Sequence, residues 1–232
     1  MFTYQTVIGY KGEILMELLA HRGYWSNGIP GNSPEALKRA LECGYGIESD
    51  VRDYDGTLVI SHYVAEKGCQ PTEEVFRWLA EHQDKRCFAI NIKADGLGEL
   101  LLDQLKSDRI TNYFTFDMSV PQMIEYRDLG ITYFTRQSEV EPEPILYQEA
   151  AGVWVDGFFG ESWITPALLQ KHIDCGKRVC VISPELHGRA YLDFWDRLKA
   201  FPIDFSKLLL CTDHPDEAGR IFEGQIAGGR KE

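Results

Sequence analysis

Strand-like and helix-like stretches alternate eight times along this chain, with no linker, repeat or low-complexity segment between them. Short apolar runs fall at 14–21, 46–52, 87–93, 113–116, 131–136, 152–156, 178–182 and 207–211. A helical candidate follows each, at 33–43, 72–82, 97–106, 120–129, 144–150, 165–175, 189–200 and 215–223. The punctuation agrees. Ser33-Pro34-Glu35 supplies an N-cap, a proline at the first helical position and an early acid, and Gly44 follows the last turn. Thr165-Pro166 and Gly176 frame another helix in the same way. Asp53-Tyr54-Asp55-Gly56 marks a hairpin turn that adds a short strand over 57–61. Eight βα units predict an α/β fold, a (β/α)8 TIM barrel with an extra short β-hairpin after strand 2; a doubly wound open sheet is the alternative. The 232 residues are expected to form one such domain over 14–232, with 1–13 as a tail that carries no motif.

In such barrels the chemistry sits at the C-terminal ends of the strands. His21 ends the first strand, Glu48 and Asp50 lie near the end of the second, and Asn91 and Lys93 end the third. Asp117, Arg136, Asp156, Glu185 and Asp213 follow around the same rim. Residues two apart on a strand face one side, so Glu48 and Asp50 can share a cation. Without a cation or donors, two inward acids would each cost on the order of several kcal/mol. Histidine can give and take a proton near neutral pH, which makes His21 and His62 candidates for acid–base work. Plainer roles stand beside these. His62 could be an exposed hairpin end, Lys93 could only neutralise the acids, Arg22 could pair with a carboxylate, and Asn91 could be packing. Arg136 rests on its rim position alone. Glu185 and His187 could equally cap a helix, and Trp154 and Trp163 suit packing or a pocket wall.

Composition narrows the partners. The chain is 44% hydrophobic and 12% aromatic, which excludes a disordered class, and its formal charge of −12 argues against nucleic acid and against adhesion to an anionic membrane. Any phosphate must be drawn in by a local site. The six cysteines form no C-x-x-C pair, so free thiols in a reducing cytoplasm are expected rather than a zinc knuckle. No basic-then-apolar leader and no apolar run near 20 residues is present, so neither export nor a membrane span is expected.

Three spaced patterns carry a family resemblance: His21-Arg22-Gly23, then Glu48-Ser49-Asp50, then Asp55-Gly56 with His62 at the end of the hairpin. Together they resemble the glycerophosphodiester phosphodiesterase family, with its HRG, E-x-D and D-G-x-x-x-x-x-H motifs. Asn91-Ile92-Lys93 stands where that family carries Glu-x-Lys, Phe116-Asp117 is similar to its S-F-D segment, and Thr212-Asp213-His214-Pro215 to its closing T-D-x-P. The likeness spans roughly 18–215. It implies a metal-dependent phosphodiester hydrolase of lipid metabolism acting on a small glycerophosphodiester-like molecule. His21 and His62 would be acid and base and Glu48, Asp50 and Asn91 the metal ligands, with Arg22, Lys93 and, from its rim position alone, Arg136 as the substrate-binding cations. The all-oxygen ligand set points to Mg²⁺ or Ca²⁺. The resemblance also implies attack by a neighbouring substrate hydroxyl, giving a cyclic phosphate. Departures from the pattern are Gly31-Asn32-Ser33 in place of E-N-T, Tyr63 in place of an Asp after the hairpin histidine, Asn91 in place of an acid, and Val181-Ile182 in place of a W-T segment. They leave open phospholipase C- or D-like cleavage of another head group, or a catalytically weak barrel that binds a phosphate ligand.

Overall fold

A computed structural model describes residues 16–26, 28–82 and 86–222. The expected tail over 1–13 lies outside the described residues. Strand β1 (Glu17–His21) is followed by α1 (Pro34–Cys43), β2 (Gly46–Tyr54), β3 (Thr57–Ile60), β4 (Gln70–Pro71) and α2 (Thr72–His82). Next come β5 (Phe88–Ile92), α3 (Gly98–Ser107), β6 (Tyr113–Phe116), α4 (Val120–Leu129), β7 (Phe134–Ser138), β8 (Gly152–Asp156) and α5 (Pro166–Asp174). The described residues continue with β9 (Arg178–Ile182), α6 (Leu192–Lys199), β10 (Leu208–Thr212) and α7 (Pro215–Phe222).

Parallel pairing runs β6–β5–β2–β1–β10–β9–β8–β7, and a bridge between Thr115 and Tyr133 joins the two outer strands. Eight strands therefore close into a ring, and the open-sheet alternative falls because β6 and β7, the two ends of the pairing path, are joined by this bridge. β3 and β4 extend β2 as an antiparallel hairpin outside the ring. Its two-residue turn places Asp55 at φ 50° and Gly56 at φ 79°. Both are left-handed, as a turn that matches the twist of hairpin strands requires.

Side-chain alternation along each strand sorts the core into layers. One set points inward and fills the barrel: Leu19, Ala89, Phe114, Phe116, Phe134, Trp154, Cys180 and Leu209. Phe114 stacks on Phe134 and Phe116 on Trp154, each pair with ring centres 3.7 Å apart. Burying one such ring contributes about 2–3 kcal/mol. Gly152 makes room for them: a Cβ there would meet the Phe134 ring at 2.4 Å and the Arg178 carbonyl at 2.5 Å. The other set packs outward against the helices in two clusters, one around Ile47, Phe76 and Phe88 and one around Val153, Trp195 and Leu210. All six cysteines are unpaired thiols. No helix among the described residues is long and apolar enough to cross a membrane.

The helix expected over 144–150 does not form. Leu146 is left-handed at φ 50°, which breaks a helix there and leaves one turn closed by Ala150 N to Leu146 O at 3.3 Å, and Thr135 Oγ1 and Tyr133 Oη also donate to Ile145 O and Leu146 O. The seventh strand starts at Phe134 rather than 131, and α6 at Leu192 rather than 189, after a 3-10 turn (Pro184–His187) closed by Gly188 at φ 73°.

His172 of α5 is clamped between Tyr147 Oη at 2.9 Å and Gln137 Oε1 at 2.7 Å. Nε2–H donates to the amide oxygen, Nδ1 accepts from the phenol, and the ring is neutral. Burial, with Lys171 beside it, pushes its pKa down to about 4 from 6.5. The unfolded chain therefore binds the extra proton first. The clamp's contribution is whole above about pH 6.5 and is lost as pH falls towards about 4, worth up to about 3 kcal/mol. Urea melts at pH 7 and pH 4.5 should show this loss for the wild type and much less of it for His172→Gln; equal losses would refute the assignment.

Candidate active site

The turn after β1 is built by its glycine. Gly23 has φ +83°, and a Cβ on it would lie 2.6–2.7 Å from the backbone of Ala36. Only glycine lets this turn press against the start of α1, where Ser33 Oγ caps Ala36 N. Arg22, left-handed at φ 56°, is thereby held with its backbone N–H donating to Glu48 Oε2 at 3.2 Å. The hairpin does the same for His62. Its register sets Val51 opposite Ile60, Ser61 N donates to Asp50 O at 3.0 Å, and the next residue lands over the end of β2.

Two histidine–aspartate pairs result. His21 Nδ1 lies 2.7 Å from Asp213 Oδ1, and His62 Nδ1 lies 3.1 Å from Asp50 Oδ1. Each carboxylate selects the tautomer with Nδ1–H and leaves Nε2 for other work. Nε2 of His21 faces Glu48 Oε2 at 3.9 Å. Nη2 of Arg22 sits 3.1 and 3.4 Å from the two ring nitrogens of His62.

Asp50 is the hub. Lys93 Nζ lies 3.1 Å from its Oδ1, Asn32 Nδ2 donates to its Oδ2 at 2.7 Å, and Arg22 Nε is 3.5 Å from that oxygen. Ser49 Oγ fixes Asn32 from behind, at 2.7 Å. Burial raises the pKa of Asp50, but Lys93, the donors Asn32 and His62, and Arg22 outweigh it and hold the carboxyl below its ordinary value. Glu48 goes the other way. Burial, with Asp50 beside it, pushes its pKa up to about 7. Burial also opposes charge on His21, yet its bond to Asp213 and the nearby Glu48 win and raise its pKa.

His21, Arg22, Glu48, Asp50, His62 and Lys93 thus form one connected cluster. Asn91 stands beside it, aligned with Asp50 across β2 and β5. Its Nδ2 donates to Asp117 Oδ2 at 3.4 Å, and its Oδ1 is buried without a partner. An orphaned amide oxygen beside two carboxylates suits a hard cation. Among the described residues no three His, Cys, Asp or Glu side chains form a cage on their own, so the third protein donor would be this amide. Arg136 is not brought into the cluster. It pairs with Asp117 at 2.9 Å and with Glu141.

Residue patterns alone assigned no role to Asp213 and Asn32. A polar Asp213 just past the last strand was the available signal, and its partner lies 192 residues away. Glu185 is an anchor: it accepts from Thr212 Oγ1, from Asp213 N at 3.1 Å and from Ser183 Oγ, which in turn accepts from Trp195 Nε1 at 2.8 Å. It holds the turn that presents Asp213. A third pair, His187 Nε2 to Asp156 Oδ1 at 2.6 Å, lies further round the rim.

No family model and no curated protein matches the chain. Solved structures do. A glycerophosphodiester phosphodiesterase from Parabacteroides distasonis ATCC 8503 superposes with a TM-score of 0.66 at 19% identity, over 92% of this chain and 99% of that one. A glycerophosphodiester phosphodiesterase from Agrobacterium tumefaciens str. C58 gives 0.63 at 16%, over 90% and 100%. The tryptophan synthase alpha chain from Legionella pneumophila subsp. pneumophila gives 0.51 at 10%, over 91% and 84%. The chain shares its fold with the glycerophosphodiester phosphodiesterases, and the third neighbour places a different enzyme on a barrel as well, so activity has to be argued from the site.

Proposed function

We propose that this protein is a phosphoric diester hydrolase acting on a glycerophosphodiester-like small molecule. The two histidine–aspartate pairs carry the proposal, because they flank one buried cluster of both charge signs. His62, with Nδ1–H held by Asp50, offers Nε2 as the base that takes the proton of an attacking hydroxyl. His21, whose bond to Asp213 favours the protonated ring, donates the proton to the leaving alcohol. One P–O bond forms as the other breaks, and Arg22 and Lys93 supply fixed positive charge to the phosphate. Glu48, Asp50 and Asn91 would hold a divalent cation, Mg²⁺ or Ca²⁺, which when bound would offset charge on a non-bridging phosphate oxygen. The charge of −12 supports a small-molecule substrate over nucleic acid, and the unpaired thiols support a cytoplasmic setting. A second reading is favoured by Lys93, whose ammonium already sits at Asp50: cationic side chains alone would serve the phosphate, as in a metal-independent phospholipase C-like enzyme.

Turnover of bis-p-nitrophenyl phosphate and of glycerophosphodiesters, with a metal panel and with excess chelator, tests both. Metal-dependent turnover is the expected result, full activity in chelator selects the second reading, and ligand binding without any turnover would sink hydrolysis altogether. Asn91→Glu should tighten divalent-cation binding at least about tenfold by calorimetry, since a unit charge replaces a neutral donor. Unchanged affinity with the fold intact would remove Asn91 from the ligand set.

A further inference from the structure

The barrel wall is uneven. Seven neighbouring strand pairs align over three to five residues, whereas β6 and β7 meet at the single bridge Thr115–Tyr133. A cavity of about 290 Å³ opens on the C-terminal side of this seam. Its apolar walls are Met118, Val120, Met123, Phe134, Pro142 and Ile145. The charged part of the wall is Glu143 and the chain Asp117–Arg136–Glu141, in which Arg136 pairs with both acids. Two of the lining side chains, Val120 and Ile145, are 41% and 48% exposed, and Val140 of the loop after β7 is 55% exposed. The proton transfers do not use this feature, and Val120 and Ile145 take no part in the buried core. Apolar side chains left in water around an unfilled cavity mark a binding site more often than a structural need.

Its location ties it to the chemistry. Asp117, on the cavity wall, accepts from Asn91, and Asn91 is aligned with Asp50. One hydrogen-bonded pair therefore separates the cavity from the cluster that holds His62 and Lys93. Resting on the reading of that cluster as a phosphodiesterase site, we propose that the cavity receives an apolar chain carried by one alcohol of the diester. The preferred substrate is then a single-chain lipid phosphodiester rather than its short polar analogue. The size fits: about 300 Å³ is the lower end for small-molecule pockets. At the mouth three acids face the one cation Arg136, so the wall does not hold a further anion and its affinity for a ligand rests on hydrocarbon contact.

The test uses butyl, octyl and dodecyl phosphocholine, each below its micelle concentration, titrated into the whole protein by calorimetry. Affinity should rise with chain length by up to about fourfold per added methylene. Val120→Trp, which fills the cavity, and Ile145→Glu, which charges its lip, should both flatten that dependence. Both positions are partly exposed, so the fold should hold, and kcat/KM for a chainless glycerophosphodiester should stay within about twofold while that for its monoacylated form drops at least about tenfold. No gain in affinity from butyl to dodecyl, or a gain that survives both substitutions, overturns the proposal. Diester turnover indifferent to the chain overturns the cavity assignment alone. Chain binding without turnover of any diester overturns the reading of the cluster and leaves the cavity as a chain-binding site.

Discussion

Replacing either His21 or His62 by alanine is expected to lower kcat by about 10²–10⁴-fold, the range that a positioned acid or base supplies. Both imidazoles are partly exposed, with side-chain exposures of 19% and 33%, so neither change empties a core position. The two losses should differ in their pH profiles. His21 acts in its protonated form, so Asp213→Asn, which removes the group that favours that form, should shift the basic limb of kcat/KM to lower pH while leaving the His62 side alone. Either alanine variant retaining more than about half of wild-type turnover on a confirmed substrate would strike that residue from the mechanism.

Glu48→Gln and Asp50→Asn should both abolish turnover yet move stability in opposite directions. Glu48 has its folded pKa pushed up to about 7 from 4.5, so the stability associated with its proton is present below about pH 4.5 and lost as pH rises through 7. At pH 8 in chelator the wild type carries a buried, poorly compensated charge, and Glu48→Gln should be more stable by up to about 3 kcal/mol. Asp50 is the reverse case. Its folded pKa lies below 3.8, its contribution is present above that value, and removing it leaves Lys93, Arg22 and His62 facing one another. Asp50→Asn should cost about 3–5 kcal/mol. Denaturant melts of both variants in chelator at pH 8 decide the matter, and shifts of the same sign would mean that the two carboxylates are not differently compensated.

The parts of this site that are legible in the residues are those that local chain geometry builds. Gly23 and the Asp55-Gly56 turn need left-handed backbone, and two-residue periodicity puts Glu48 and Asp50 on one face, so their positions follow from spacing alone. The partners of these groups are set by ring closure instead. Asp213 reaches His21 only because β10 pairs with β1, and Arg136 is neutralised by Asp117 and Glu141 from two other segments. Asn32 stood in a segment that had lost its expected acid, and nothing in that segment announces a donor to Asp50. The missing helix after β7 has the same origin. Its composition permits a helix, but Leu146 turns left-handed and its segment is tied by the hydroxyls of Thr135 and Tyr133, donors that lie ten or more residues earlier in the chain.

The single bridge between β6 and β7, with the β1–β10 pairing opposite it, marks off two halves of the ring. The first holds β1, β2, β5 and β6 with α1 to α4, the second β7 to β10 with α5 to α7, and each packs largely around its own outer cluster. Every group assigned to proton transfer or to the cation belongs to the first half, apart from Asp213. The residues of the half-barrel that carries the His62–Asp50 pair therefore leave the ribosome well before the last strand, which supplies Asp213. Until β10 docks on β1, His21 lacks the Asp213 carboxylate that bonds its Nδ1, and Glu48 at 3.9 Å from Nε2 is its acidic neighbour. On the proposed mechanism, parting of β1 from β10 would separate His21 from Asp213 and weaken the acid while the His62–Asp50 pair stays assembled.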